Sequence, residues 1–234
     1  MAQNISGNDT SACVELVGFS VVFVANSNNP SILNPDFLRY NEIVGADLQV
    51  QGNPITTPAF SQVMFEGGLS VKADPNRVIF EQIQDPLTIE GVMCPEIAQR
   101  YLQKVPHVPY NAVGINPKSC RISPAARPEK VSTALLDKGV WMSYKDVHPE
   151  IHLKTIYKYE SRMIVLEIIE AKKRTKDNVE IPGILFQANI HRDIPAMNPQ
   201  KRVEFVSTIL ASWKEDLSDF GALVAKFTFR NIDS

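Results

Sequence analysis

Residues 198–227 read NPQKRVEFVSTILASWKEDLSDFGALVAKF. Val203, Val206, Leu210, Trp213, Leu217, Phe220, Val224 and Phe227 recur at alternating steps of three and four, which lines them along one side of an α-helix. Asn198 and Pro199 supply the start, because an Asn side chain caps free backbone N–H groups and proline is tolerated at the first helical position. At 1.5 Å per residue such a helix would span ~45 Å, more than one sheet usually covers. Its second half, with Trp213, Leu217, Phe220, Val224 and Phe227, is therefore expected to form an interface with a protein partner or a second copy. The weak helix formers in Asp216-Leu217-Ser218-Asp219 leave open a division into two helices.

Upstream of this helix the chain reads as sheet. Val14–Ala25 is apolar on both alternate sets, the pattern of a central strand buried on both faces. Phe60–Glu66, Leu69–Ala73 and Val78–Gln84 form a meander with turns at Gly67-Gly68 and Asp74-Pro75-Asn76. Pro95 opens a short helix in which Ile97, Ala98, Tyr101 and Leu102 share a face, and Tyr110–Asn116 returns as a strand. A short helix over Glu129–Leu136 precedes a second meander, Ile151–Tyr159, Arg162–Ala171 and Ile184–Ile190. Asn26–Pro58 is rich in Asn, Pro and Thr; only Ile43–Val50 is expected to be regular, and so long a connection is expected to cross an edge or reach a partner.

Runs of strands closed by helices predict an α+β fold with mainly antiparallel sheet, helices on one face and a long C-terminal helix. Residues 1–13 read as a flexible lead, 14–117 as a first half, 118–128 as a proline-rich seam and 129–234 as a second half, together one compact domain. Element order alone makes the two halves a pseudo-repeat.

Composition narrows the function classes. The 234 residues are 44% hydrophobic and 21% charged with a net charge of −2, which suits a globular core and excludes a uniformly basic surface for nucleic acid. Val14–Ala25 is too short and carries Glu15, so no membrane role is expected. No secretory pattern opens the chain, and Cys13, Cys94 and Cys120 are far apart with no C-x-x-C pair. These features predict a cytoplasmic protein without a disulfide framework, and no cofactor motif is evident.

His191-Arg192-Asp193-Ile194-Pro195-Ala196-Met197-Asn198 resembles the catalytic loop of protein kinases, and Asp219-Phe220-Gly221 follows it. The resemblance would make Asp193 orient an acceptor hydroxyl while Asn198 and Asp219 held magnesium. The surroundings exclude it. No G-x-G-x-x-G exists to cover phosphates, an amphipathic helix separates the two motifs, and Phe220 belongs to the apolar stripe. No other nucleophile, base and orienting group can be assembled, so no catalytic residue is assigned.

Three further groups carry binding chemistry. Lys172, Lys173, Arg174 and Lys176 sit at a hairpin tip that can grip phosphates, and Lys154 and Lys158 on the neighbouring strand extend the patch. His148, Glu150 and His152 project to one side of an extended chain, as ligands of a divalent metal would. His107, Tyr110 and Asn116 flank two prolines and Gly114 and could line a pocket. The leading expectation is a non-catalytic interaction or assembly subunit, acting through Asn26–Pro58, the long helix and the basic tip. Nucleic-acid binding through that tip is the alternative, and a metal-dependent or small-ligand module the second.

Overall fold

The computed structural model describes residues 15–122, 147, 149, 150, 152–174 and 178–227. The lead, the helix expected over Glu129–Leu136 and residues 123–128 of the seam lie outside them. Nine strands form a single sheet: β1 (Leu16–Ala25), β2 (Ile55–Thr56), β3 (Ser61–Met64), β4 (Leu69–Asp74), β5 (Arg77–Leu87), β6 (Tyr110–Ile122), β7 (His152–Lys158), β8 (Met163–Arg174) and β9 (Glu180–Asp193). Their order is β2-β3-β4-β5-β1-β6-β9-β8-β7, and every neighbouring pair is antiparallel. The two meanders are thus one sheet joined through β1 and β6. Among the described residues four α-helices accompany it: α1 (Pro35–Tyr40), α2 (Cys94–Lys104), α3 (Pro199–Ala211) and α4 (Trp213–Ala225).

Strand alternation decides which side chains meet the helices. Phe19, Val21 and Phe23 of β1 pair in register with Gln82, Phe80 and Val78 of β5 and with Pro117, Ile115 and Val113 of β6. Beyond them Ile184, Phe186 and Ile190 of β9 and Ile164, Leu166 and Ile168 of β8 continue the same buried layer. Ring contacts fix the cover: Tyr101 of α2 stacks edge-on to Phe80, Trp213 of α4 to Phe19, and Phe227 tilts over Phe186. The opposite side of the sheet carries no helix among the described residues.

The turns follow their chemistry. Gly67 and Gly68 take φ values of 74° and 75° between β3 and β4, which glycine adopts without a Cβ penalty. Asp74 Oδ1 accepts the N–H groups of Asn76 and Arg77, closing the next turn.

Of the two readings left open for the last apolar run, the structure has two helices, α3 and α4, separated at Ser212, and the stripe continues across the break with Val206, Leu210, Leu217, Phe220 and Val224 buried. α3 packs on α2 and α4 on β6 and β9. Three expectations change. Within Asn26–Pro58, Asn34 caps the unexpected α1 by accepting from Phe37 N–H, and Leu33, Leu38, Ile43 and Val44 are buried in the chain's own core. That segment covers the sheet's end; Ile43–Val50 contributes only a bridge, Val50 to Phe65. Finally, residues 118–122, expected to open the seam, are the continuation of β6 in the middle of the sheet.

Candidate functional site

Pro117 interrupts the centre of the sheet. It lies in β6 between β1 and β9, where a residue normally donates an N–H to a neighbour, and proline has none. The β6–β9 ladder pairs Ala112–Ile115 with Ile190–Asp193 and Lys118–Ile122 with Gly183–Gln187, and skips Asn116 and Pro117. Over this interruption, on the open side of the sheet, lies a depression of about 360 Å³. Its walls are Ser20 of β1, Asn116 and Lys118 of β6, Gln187, Ala188 and Asn189 of β9, Val165 and Glu167 of β8 and Lys154 of β7.

The charged members of the wall have partners. Lys118 Nζ lies 3.3 Å from Glu81 Oε1 on β5 and Lys72 Nζ 2.6 Å from Glu81 Oε2. Lys118 reaches Glu81 across β1 at Gly18, where its side chain lies over bare backbone. Burial raises the Glu81 carboxyl, but the hydrogen bonds and charges of Lys72 and Lys118 outweigh it and hold the group below its ordinary range. Glu167 accepts from Gln187 Nε2 at 2.5 Å and has Lys154 Nζ at 3.8 Å and His152 Nε2 at 3.6 Å.

The neutral members are less satisfied. Asn116 Nδ2 donates to Ser20 Oγ at 3.2 Å, while Asn116 Oδ1 is buried without a partner among the described residues. A Cβ built on Gly114 would stand 3.3 Å from Asn189 Oδ1 and 3.4 Å from Asn116 Oδ1, so both amides converge over one glycine. A buried polar atom left unpaired carries its desolvation cost uncompensated, and a hydroxyl or amine entering the depression would offset it.

The residues singled out in the sequence are distributed otherwise. Asn116 is in this wall, but Tyr110 faces the helices, packs on Phe23 and is buried, and His107 is exposed in the loop after α2, so the three do not share a pocket. Strict alternation would put residues 110 and 116 on one side, but the register shift that pairs Ala25 with Tyr110 after Val24 with Ala112 turns Tyr110 to the helix side. Burial pushes the Tyr110 hydroxyl up, aided by Tyr101 and opposed by Arg202.

The basic group also divides. Lys172 Nζ and Arg174 Nη2 both lie 3.1 Å from Glu180, while Lys176 and the Lys173 side chain are outside the described residues. Lys154 and Lys158 project from the open side, and Lys158 pairs with Met163, nine residues along β8 from Lys172, a separation of ~30 Å at ~3.3 Å per residue. Lys154 pairs with Glu167, five residues from Lys172, but alternation along β8 turns Lys172 to the other side of the sheet from Lys154. His148 is outside the described residues; Glu150 and His152 are exposed, and His152 faces Glu167.

The stripe assigned to an interface is occupied. Leu217, Phe220 and Val224 are buried in the chain's own core, with Trp213 and Phe227 packed on Phe19 and Phe186. The kinase-like residues have structural tasks: Asn198 caps α3, Asp193 is 91% exposed beside His191, and Arg192 donates twice to the buried Asp216 of α4. Arg162 joins Arg192 on Asp216 and also binds Asp219.

Ser20, Lys118, Val165, Glu167, Gln187, Ala188 and Asn189 were not singled out in the sequence as a site. Their signal is polarity inside strands otherwise apolar on both sets, as with Ser20 in β1 and Glu167 in β8. Compared with known protein families and with curated proteins, the sequence matches none. No helix among the described residues is long and apolar enough to cross a membrane.

Proposed function

We propose that this chain is a non-catalytic binding protein of the cytoplasm that works through the open side of its sheet, where the depression over Pro117 holds a small polar ligand. The observation that carries this reading is the buried end of the Asn116 amide, unpartnered among the described residues and set in a recess at the interrupted ladder. A volume of about 360 Å³ falls within the range of small-ligand sites. Among the described residues the wall holds acceptors and donors but no nucleophile with a base and an orienting group, so binding rather than turnover fits its chemistry.

The test is native mass spectrometry on protein purified gently from its source. The intact mass should exceed that of the denatured chain by a small molecule, and Asn116→Leu should abolish the excess. A native mass equal to the denatured mass, with no response to any small polar compound in titration, would overturn the reading.

A second reading, assembly with a protein partner, has its own observation. Ile55, Met64 and Ile83 are exposed at the β2–β5 end of the same open side. A partner that stays bound through high salt and is released by Ile83→Lys would support assembly over ligand binding. Nucleic-acid binding has weaker support, because Lys172 and Arg174 share Glu180.

A further inference from the structure

We infer that the ligand of this depression is a small uncharged polyhydroxylated molecule, a sugar or polyol; this rests on the binding reading above and names the chemistry the wall would recognise. The first step is the state of the charges. Lys118 is engaged by Glu81, Glu81 is also held by Lys72, and Glu167 has Gln187, Lys154 and His152 around it. A ligand anion would have to displace a carboxylate from Lys118 or Lys154, and a ligand cation would have to displace Gln187 and the lysine from Glu167. Each exchange gives up an existing ion pair or charge-assisted hydrogen bond.

The second step is what remains to be satisfied. The vacant hydrogen-bonding capacity lies on neutral amides: the buried end of Asn116, and Asn189 beside it over Gly114. A primary amide presents a donor and an acceptor side by side, and a hydroxyl both donates and accepts. Two neighbouring ligand hydroxyls can therefore satisfy Asn116 and Asn189 together without disturbing the paired charges.

The third step is shape. Among the described residues no aromatic ring lines the depression, so a nucleobase or other flat ring finds no surface among them to stack on. Val165 gives a small apolar floor, while Ala188 turns its side chain to the helices and offers backbone. The volume of about 360 Å³ corresponds to about a dozen waters at ~30 Å³ each, room for a compound of monosaccharide size. Gly114 keeps the meeting point of the two amides open, since a Cβ there would fill it.

The experiment is titration of the isotope-labelled full chain, following backbone and side-chain amide resonances by NMR. The probes are myo-inositol, D-glucose, D-galactose, D-mannose and D-ribose, with adenosine, glycine, L-lysine and sodium phosphate as contrasting classes. At least one neutral polyol should move the side-chain amides of Asn116, Asn189 and Gln187 together. Asn189→Ala, at an exposed position, should weaken that binding about tenfold, and Gly114→Ala should abolish it while leaving distant resonances in place. If adenosine, glycine, L-lysine or phosphate moves these amides and no polyol does, the inferred class is wrong although the depression binds. If no probe of any class moves them, the inference and the binding reading both fall.

Discussion

Replacing Asp216 by Asn removes one negative charge from a site that two guanidinium groups share. Asp216 is fully buried; it accepts Arg162 Nη1 at 2.7 Å, Arg192 Nη2 at 2.6 Å and Arg192 Nη1 at 2.8 Å. Arg192 and Arg162 are themselves only 13% and 21% exposed in their side chains, so water cannot readily take over the lost interaction. Breaking a buried ion pair from one side costs about 3–5 kcal/mol, which for a chain of this size lowers Tm by roughly 6–20 °C at about 2–4 °C per kcal/mol. The assay is reversible urea unfolding with the m-value checked for constancy. Asp219→Asn is the internal control, because Asp219 is half exposed and among the described residues pairs with Arg162 alone; it should cost less than about 1 kcal/mol. A loss for Asp216→Asn no larger than for Asp219→Asn would refute the argument that this cluster pins α4 to β9 and to the turn before β8. The apolar replacement Arg162→Met, Arg192→Met and Asp216→Leu should recover most of the lost stability, because it leaves no unpaired buried charge.

The two turn glycines separate strain from collision. Gly67→Ala should cost only about 1–2 kcal/mol, since its φ of 74° disfavours a side chain but none of the described residues stands within 4 Å. Gly68→Ala adds a Cβ 1.9 Å from the Ile83 carbonyl oxygen and should lose a further ~1–3 kcal/mol by the same unfolding assay. Phe220→Ala should cost ~3–5 kcal/mol without changing the sedimentation of the folded protein; a changed oligomeric state at unaltered stability would restore the interface assignment. Glu81 supplies a pH dependence. Its folded pKa is depressed below the ordinary 4.5, so its contribution is fully present above that value and is lost as pH falls through the folded pKa. The stability difference between the wild type and Glu81→Gln should therefore hold steady at neutral pH and shrink below pH 4.5; a difference unchanged down to pH 3 would contradict the Lys72–Glu81–Lys118 account.

Local pattern made much of the fold legible. The alternation in Leu16–Ala25, the glycines of the β3–β4 turn, Pro95 at the start of α2 and the stripe from Val203 to Phe227 each act over a few residues, and sequence order suffices to read them. Asn34-Pro35 carried the same start signal as Asn198-Pro199, yet α1 has only six residues and too short an apolar repeat to declare itself. Within the site, Asn116 was singled out, but its company was not. His107 and Tyr110 were grouped with it by nearness in the chain, whereas a register shift between β1 and β6, which alternation in the sequence does not reveal, turns Tyr110 to the other side of the sheet.

The sequence by itself determined the α+β class, the antiparallel meanders, the apolar faces of α2, α3 and α4, and the weakness of the kinase-like motif. These are consequences of periodicity and of backbone preferences at single residues. Only the tertiary structure decided that the apolar stripe is consumed by the chain's own sheet, that Arg162 and Arg192 converge on Asp216, and that Ser20, Asn116, Glu167, Gln187 and Asn189 share one recess. Those residues come from four strands whose neighbours are set by register, and register depends on pairing between segments far apart in sequence. Pro117 links the two levels: its missing N–H is written in the sequence, but it opens the ladder at this point only because β6 lies between β1 and β9.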